Sequence, residues 1–116
     1  MATITPAQDM PFGGTGGVVE LVWETLTPSD TAAEQETGGS QPIAGAVQVV
    51  GTFSGSTVVL QASNDGTNWV TLKDVTGTDI SFTSTGMAEF STAALYIRPS
   101  ISGGSGDVDV IVVLRG

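Results

Sequence analysis

Carboxylates are the only ionisable side chains present in number, with twelve Asp and Glu set against three Lys and Arg and with no Cys or His in 116 residues. That composition removes disulfides, thiolate zinc sites, Ser-His and Cys-His nucleophile pairs and the imidazole proton shuttle. What remains for general acid-base work is a pair of carboxylates. Glu20 and Glu24 share a strand face, but four residues of extended chain hold them about 13 Å apart, beyond glycosidase spacing. Asp107 and Asp109 are two residues apart, about 6.7 Å between Cα atoms, a separation that suits an inverting hydrolase. Nothing near them in sequence offers an apolar pocket to raise one pKa, and the adjoining turn Gly103-Gly-Ser-Gly106 argues for exposure. The carboxylates therefore read as solvated residues, no catalytic residue is assigned, and the chain is expected not to be an enzyme.

The same test applies to metals and cofactors. Asn64-Asp65-Gly66-Thr67-Asn68 and Asp107-Val-Asp109 both put oxygen ligands in turns, yet neither has the twelve-residue ligand spacing of an EF-hand. Both turns form without a metal. Gly13-Gly-Thr-Gly-Gly17 lacks the preceding strand, following helix and lysine of a phosphate-binding loop. No cofactor or metal is expected. Of the two tryptophans, Trp23 is in register with Val19 and Leu21 and belongs to a core. Trp69 shares a side with Thr71 and Lys73, which leaves a sugar-stacking role open.

These residues sit on elements that alternate with period two. Ser56-Thr-Val-Val-Leu-Gln-Ala62 and Asn68-Trp-Val-Thr-Leu-Lys-Asp-Val75 flank Ser63-Asn-Asp-Gly-Thr67, where short polar side chains and a glycine able to take positive φ reverse the chain into a hairpin. Further strands are expected near 18–26, 43–53, 80–83, 95–101 and 107–115, making about seven. An all-β chain of this kind folds as a single antiparallel β-sandwich, jelly-roll-like or a flattened barrel. Val47, Val49, Phe53, Val58, Leu60, Leu72, Ile97, Val110 and Val112 are the expected core. Pro99 cannot donate to a ladder, so its strand belongs at an edge or a bulge. Residues 27–42 form a long, acidic, turn-rich connection with room for at most one helical turn, near Asp30 to Gln35.

Residues 1–16 combine Pro6, Pro11 and glycines with isolated apolar points, so they read as an extended N-terminal arm ahead of a β-sandwich domain over 17–116. The closing strand carries Val108, Val110, Val112 and Leu114 on one face and Ile111 and Val113 on the other. A strand that is dry on both sides needs a second cover, supplied by the arm or by another subunit. The expected partner-binding residues are Ile4, Met10, Phe12, Ile111 and Val113.

A net charge of -9 repels phosphate backbones and anionic headgroups, which excludes direct nucleic-acid and membrane binding. With 13% charged against 40% hydrophobic residues, the chain is nonetheless a folding domain and not an acidic tail. The N-terminus has neither a basic start nor an apolar run, so synthesis and folding in a cytosol are expected. Val58-Val-Leu-Gln-Ala-Ser-Asn-Asp-Gly-Thr-Asn-Trp-Val70, Tyr96-Ile-Arg-Pro99 and Ser102-Gly-Gly-Ser-Gly-Asp-Val-Asp-Val110 resemble the small structural proteins encoded among tailed-phage head genes. The likeness spans about residues 45–116. It implies a capsid cement or decoration protein on the virion surface, with the major capsid protein as partner and a homotrimer as the assembly. A tail or fibre component and a glycan-binding β-sandwich module stay open as alternatives.

Overall fold

In the computed structural model, residues 2–9, 18–37 and 43–115 are described. They contain no helix. The strands are β1 (Thr3–Ile4), β2 (Ala7–Asp9), β3 (Val18–Leu26), β4 (Thr31–Ala32), β5 (Gln35–Glu36), β6 (Ile43–Thr52), β7 (Thr57–Ser63), β8 (Val70–Thr71), β9 (Ser81–Phe82), β10 (Gly86–Thr92), β11 (Tyr96–Ser102) and β12 (Asp107–Arg115).

Two sheets enclose one core, as alternating dry and wet faces require. The larger has the order β10-β6-β12-β3-β2, and the smaller has β5-β11-β7-β8 with β9 also paired to β7. Their pairings are antiparallel, and a two-stranded parallel ladder of β1 and β4 stands beside them. The larger sheet buries Leu21, Trp23, Val47, Val49, Val110 and Val112, and the smaller buries Val58, Leu60, Ala62, Ile97 and Ile101. The fold class read from the sequence is the one observed. Seven of the nine expected core residues are buried; Phe53 and Leu72 are partly buried and pack against the core.

The differences have local causes. Val18 to Leu26 does not alternate throughout: Val110 pairs with Trp23 but Val108 pairs with Leu26, so a bulge at Glu24 and Thr25 brings Leu26 inward. Thr25 takes φ +56° there. The expected strand 68–75 shrinks to two residues, because the chain leaves the ladder at Leu72 and returns at Ile80. Residues 27–37 form a turn and two short strands with no helical turn, and Asp30 accepts the Thr27 N–H and Oγ–H at 3.0 and 2.9 Å. The strand β10 escaped notice in the sequence, since only Phe90 among its residues is a large inward apolar side chain.

Pro99 lies in a strand with neighbours on both sides, yet β5 pairs only with Tyr96 and Ile97. Beyond that point the β5 side of β11 has no ladder partner among the described residues, which accommodates the absent N–H. The hairpins at one end of the sandwich are locked by Ser56, a buried hydroxyl that donates to the Gly103 carbonyl at 2.6 Å and accepts the Gly106 N–H at 2.8 Å. A side chain at Gly106 would collide with the Phe53 carbonyl and Ser56.

Candidate functional site

The sandwich presents two outward sheet faces. On the larger sheet, Met87, Gln48, Ile111, Val22 and Ala7 stand in register across all five strands. The adjacent row is Glu89, Ala46, Val113, Glu20 and Asp9. Together they make an apolar centre with carboxylates toward both ends of the second row. Val22, Ala46, Ile111 and Val113 are half-buried by their neighbours in the sheet, and Met87 is 62% exposed. A groove of about 360 Å³ runs over Ala44, Gly45 and Ala46, walled by Glu89, Val113 and Arg115.

Of the expected partner-binding residues, Ile111 and Val113 come together on this face. Ile4 does not. Its strand β1 runs parallel to β4, with Thr31 N–H donating to Ala2 O and Ala33 N–H to Ile4 O, both at 2.8 Å, and its side chain packs against this chain's own core. Residues 7–9 likewise pair with β3 of the same chain. Residues 2–4 and 7–9 thus find backbone partners within this chain. Met10 and Phe12 lie outside the described residues.

The carboxylate pairs do not converge. Glu20 lies in the second row, Glu24 is exposed at the bulge, and Asp107 is exposed at the start of β12. Asp109 accepts the Thr25 N–H at 2.9 Å, a structural use of one oxygen. Among the described residues no three Asp or Glu side chains gather as a metal site would require. In the 63–68 turn, Asp65 Oδ1 accepts the Thr67 and Asn68 N–H groups and the Ser63 hydroxyl, while Oδ2 accepts the Asn68 amide. Those bonds, led by the Asn68 and Thr67 N–H groups, hold the Asp65 carboxyl well below the usual carboxylate range. Gly66 takes φ +74°, the left-handed turn position the sequence assigned to it.

The outer face of the smaller sheet carries a second constellation. Tyr96, Arg98 and Ser100 alternate along β11 opposite Ser63, Gln61 and Val59 of β7. Arg98 donates from Nε to Gln61 Oε1 at 2.9 Å, and its guanidinium carbon lies 4.1 Å from the centroid of the Trp69 ring. Trp69, whose orientation was open in the sequence, is half-buried under this cation. Burial lowers the Arg98 pKa while the negative charge of Glu34 acts against that shift. Sequence reasoning missed this cluster. Its one signal was a lone arginine and an unassigned tryptophan, which only the β7-β11 register brings together.

No family model matches the chain, and no curated protein matches it. Among solved structures, the SPBc2 prophage-derived protein YomS superposes with a TM-score of 0.62 at 11% identity, over 96% of this chain and 95% of that one. A cupin 2 domain-containing protein from Halorhodospira halophila gives 0.44 at 11% identity, over 96% and 64% of the chains. Chitosan-binding module 1 of a chitosanase/glucanase from Paenibacillus sp. IK-5 gives 0.41 at 18% identity, over 85% and 69%. The last two scores are too low to carry an argument. The first shows that this chain shares its β-sandwich fold, over nearly its whole length, with a prophage-derived protein.

Proposed function

We propose that this chain is a non-enzymatic phage virion protein that binds the outside of the capsid and stabilises joints between major capsid subunits. The observation that carries this reading is the outer face of the larger sheet, where Val22, Ala46, Ile111, Val113 and Met87 form an apolar centre with acidic ends. Bridging shell subunits asks for a rigid scaffold and a sizeable apolar contact, and it asks for no chemistry. The fold shared with a prophage-derived protein supports the phage setting. In this reading the partner is the major capsid protein, the location is the virion surface, and three copies associate as a homotrimer.

The test is to separate heads from tails in phage lysates of the source host on a density gradient and probe each fraction for this chain. Co-sedimentation with heads, lost in Ile111→Glu and Val113→Glu variants that still fold, is the expected result. Recovery with tails would move the assignment to a tail or fibre component. Absence from both would end the virion reading. Light scattering on the isolated chain tests the trimer.

A further inference from the structure

We propose that the outer face of the smaller sheet, at Arg98, Trp69, Gln61 and Tyr96, is a binding site for a neutral saccharide. This is independent of capsid attachment, which uses the opposite face of the sandwich. The guanidinium is held in two ways, stacked on the Trp69 ring and donating from Nε to Gln61. Among the described residues its two terminal amino groups have no hydrogen-bond acceptor. A fork so oriented is set to donate to a pair of adjacent oxygens on a ligand.

The neighbouring groups decide which ligand. Gln61 spends its carbonyl on Arg98 and keeps its amide donors, and Tyr96 lies on the same side of β11 two residues away. Glu34 is close enough to act on the charge of Arg98, and its carboxylate lies over Gly66. The Arg98 and Gln61 donors, with the half-buried Tyr96 ring and its hydroxyl on the same side of β11, suit sugar hydroxyls, which need donors and acceptors together with apolar contact to the ring carbons. A polyanion meets the opposite conditions. The chain carries -9, and the negative charge of Glu34 acts on Arg98, the one cation in the patch. The other two basic residues lie elsewhere, Lys73 paired to Asp79 at 2.7 Å and Arg115 at the end of β12.

The experiment is native gel electrophoresis of the full chain in gels containing dextran, mannan, soluble starch or hydroxyethylcellulose, with heparin as the acidic comparison. At least one neutral polysaccharide is expected to retard the chain. Arg98→Ala and Gln61→Ala should each weaken that retardation about tenfold, the loss of one or two ligand hydrogen bonds. Circular dichroism verifies that both variants fold, and Ile111→Glu, on the opposite face, should leave retardation unchanged. Tryptophan fluorescence titrated with the matching oligosaccharide should saturate in the parent and not in Arg98→Ala. The proposal fails if no neutral polysaccharide retards the chain, if heparin alone does, or if both folded variants are retarded like the parent.

Discussion

The Asp109 carboxylate accepts the Thr25 N–H at 2.9 Å where β3 and β12 slip out of register. Thr25 carries a φ of +56°, a conformation that costs a β-branched residue about 1–2 kcal/mol. The carboxylate thereby holds a bulge that turns Leu26 into the core. Asp109→Ala should lower stability by about 1 kcal/mol, the value of one partly exposed bond. Thr25→Gly should be neutral or stabilising by up to about 1 kcal/mol, as relieved strain offsets added chain entropy. Urea midpoints of the two variants, moving in different directions from the parent or with Thr25→Gly unmoved, check the pair.

Ser56→Ala should cost more. It leaves the buried Gly106 N–H without its acceptor and the Gly103 carbonyl without its donor, a loss of about 1–3 kcal/mol. Chemical denaturation reads this directly, and Ser56→Thr should not restore the parent value, because the added methyl enters a site already in contact with Gly106.

The core and a sheet margin should respond differently to the same truncation. Leu60 is buried between the sheets, so Leu60→Ala should destabilise by about 2–5 kcal/mol. Val70 is 68% exposed, and Val70→Ala should stay within about 0.5 kcal/mol of the parent. Equal shifts in melting temperature would contradict the burial of Leu60.

Asp65 should make the protein acid-sensitive. Its folded pKa is depressed by the Asn68 and Thr67 N–H groups, so its contribution is fully present above the unfolded carboxylate value of about 4 and is lost as pH falls toward the folded value. In Asp65→Asn the decline in stability below pH about 4 should be shallower than in the parent. Denaturation midpoints measured at neutral pH and at successively lower pH test the slope.

Removing residues 1–9 should lower stability with the fold retained. Ile4 then leaves the core margin and β3 loses its outer neighbour over Glu20 to Val22. A truncated chain with an unchanged urea midpoint would show that the pairing adds nothing.

The long strands were legible because their apolar side chains alternate: β6, β7, β11 and β12 lie within a residue or two of where periodicity places them. The Asn64-Asp65-Gly66 turn was legible for the same local reason, since its hydrogen bonds are between near neighbours. What escaped depends on partners distant in sequence. The strands β1, β2, β4 and β5 have two or three residues each, too few to show any period; β2 and β5 form on the margins of β3 and β11, and β1 and β4 form on each other. The bulge at Thr25 is set by Asp109, and the stacking of Arg98 on Trp69 follows from strand register. Ile111 and Val113 are legible as outward apolar residues from one strand alone, but Val22 and Met87, which stand in the row of Ile111, and Ala46, beside Val113, needed the sheet order.

The margins of the two sheets bear on how copies of this chain can associate. The ladder of the larger sheet ends at the three-residue β2 on one side. On the other it ends at β10, whose Glu89 carbonyl already accepts the Val75 N–H at 2.9 Å. The smaller sheet ends in the two-residue strands β5, β8 and β9. Short edges are poor templates for strand addition, so β2, β5, β8 and β9 offer little to a strand of another copy, and the seven-residue β10 is the longest margin left. On the flat faces it is side-chain shape and charge that set which copies fit together and where growth stops.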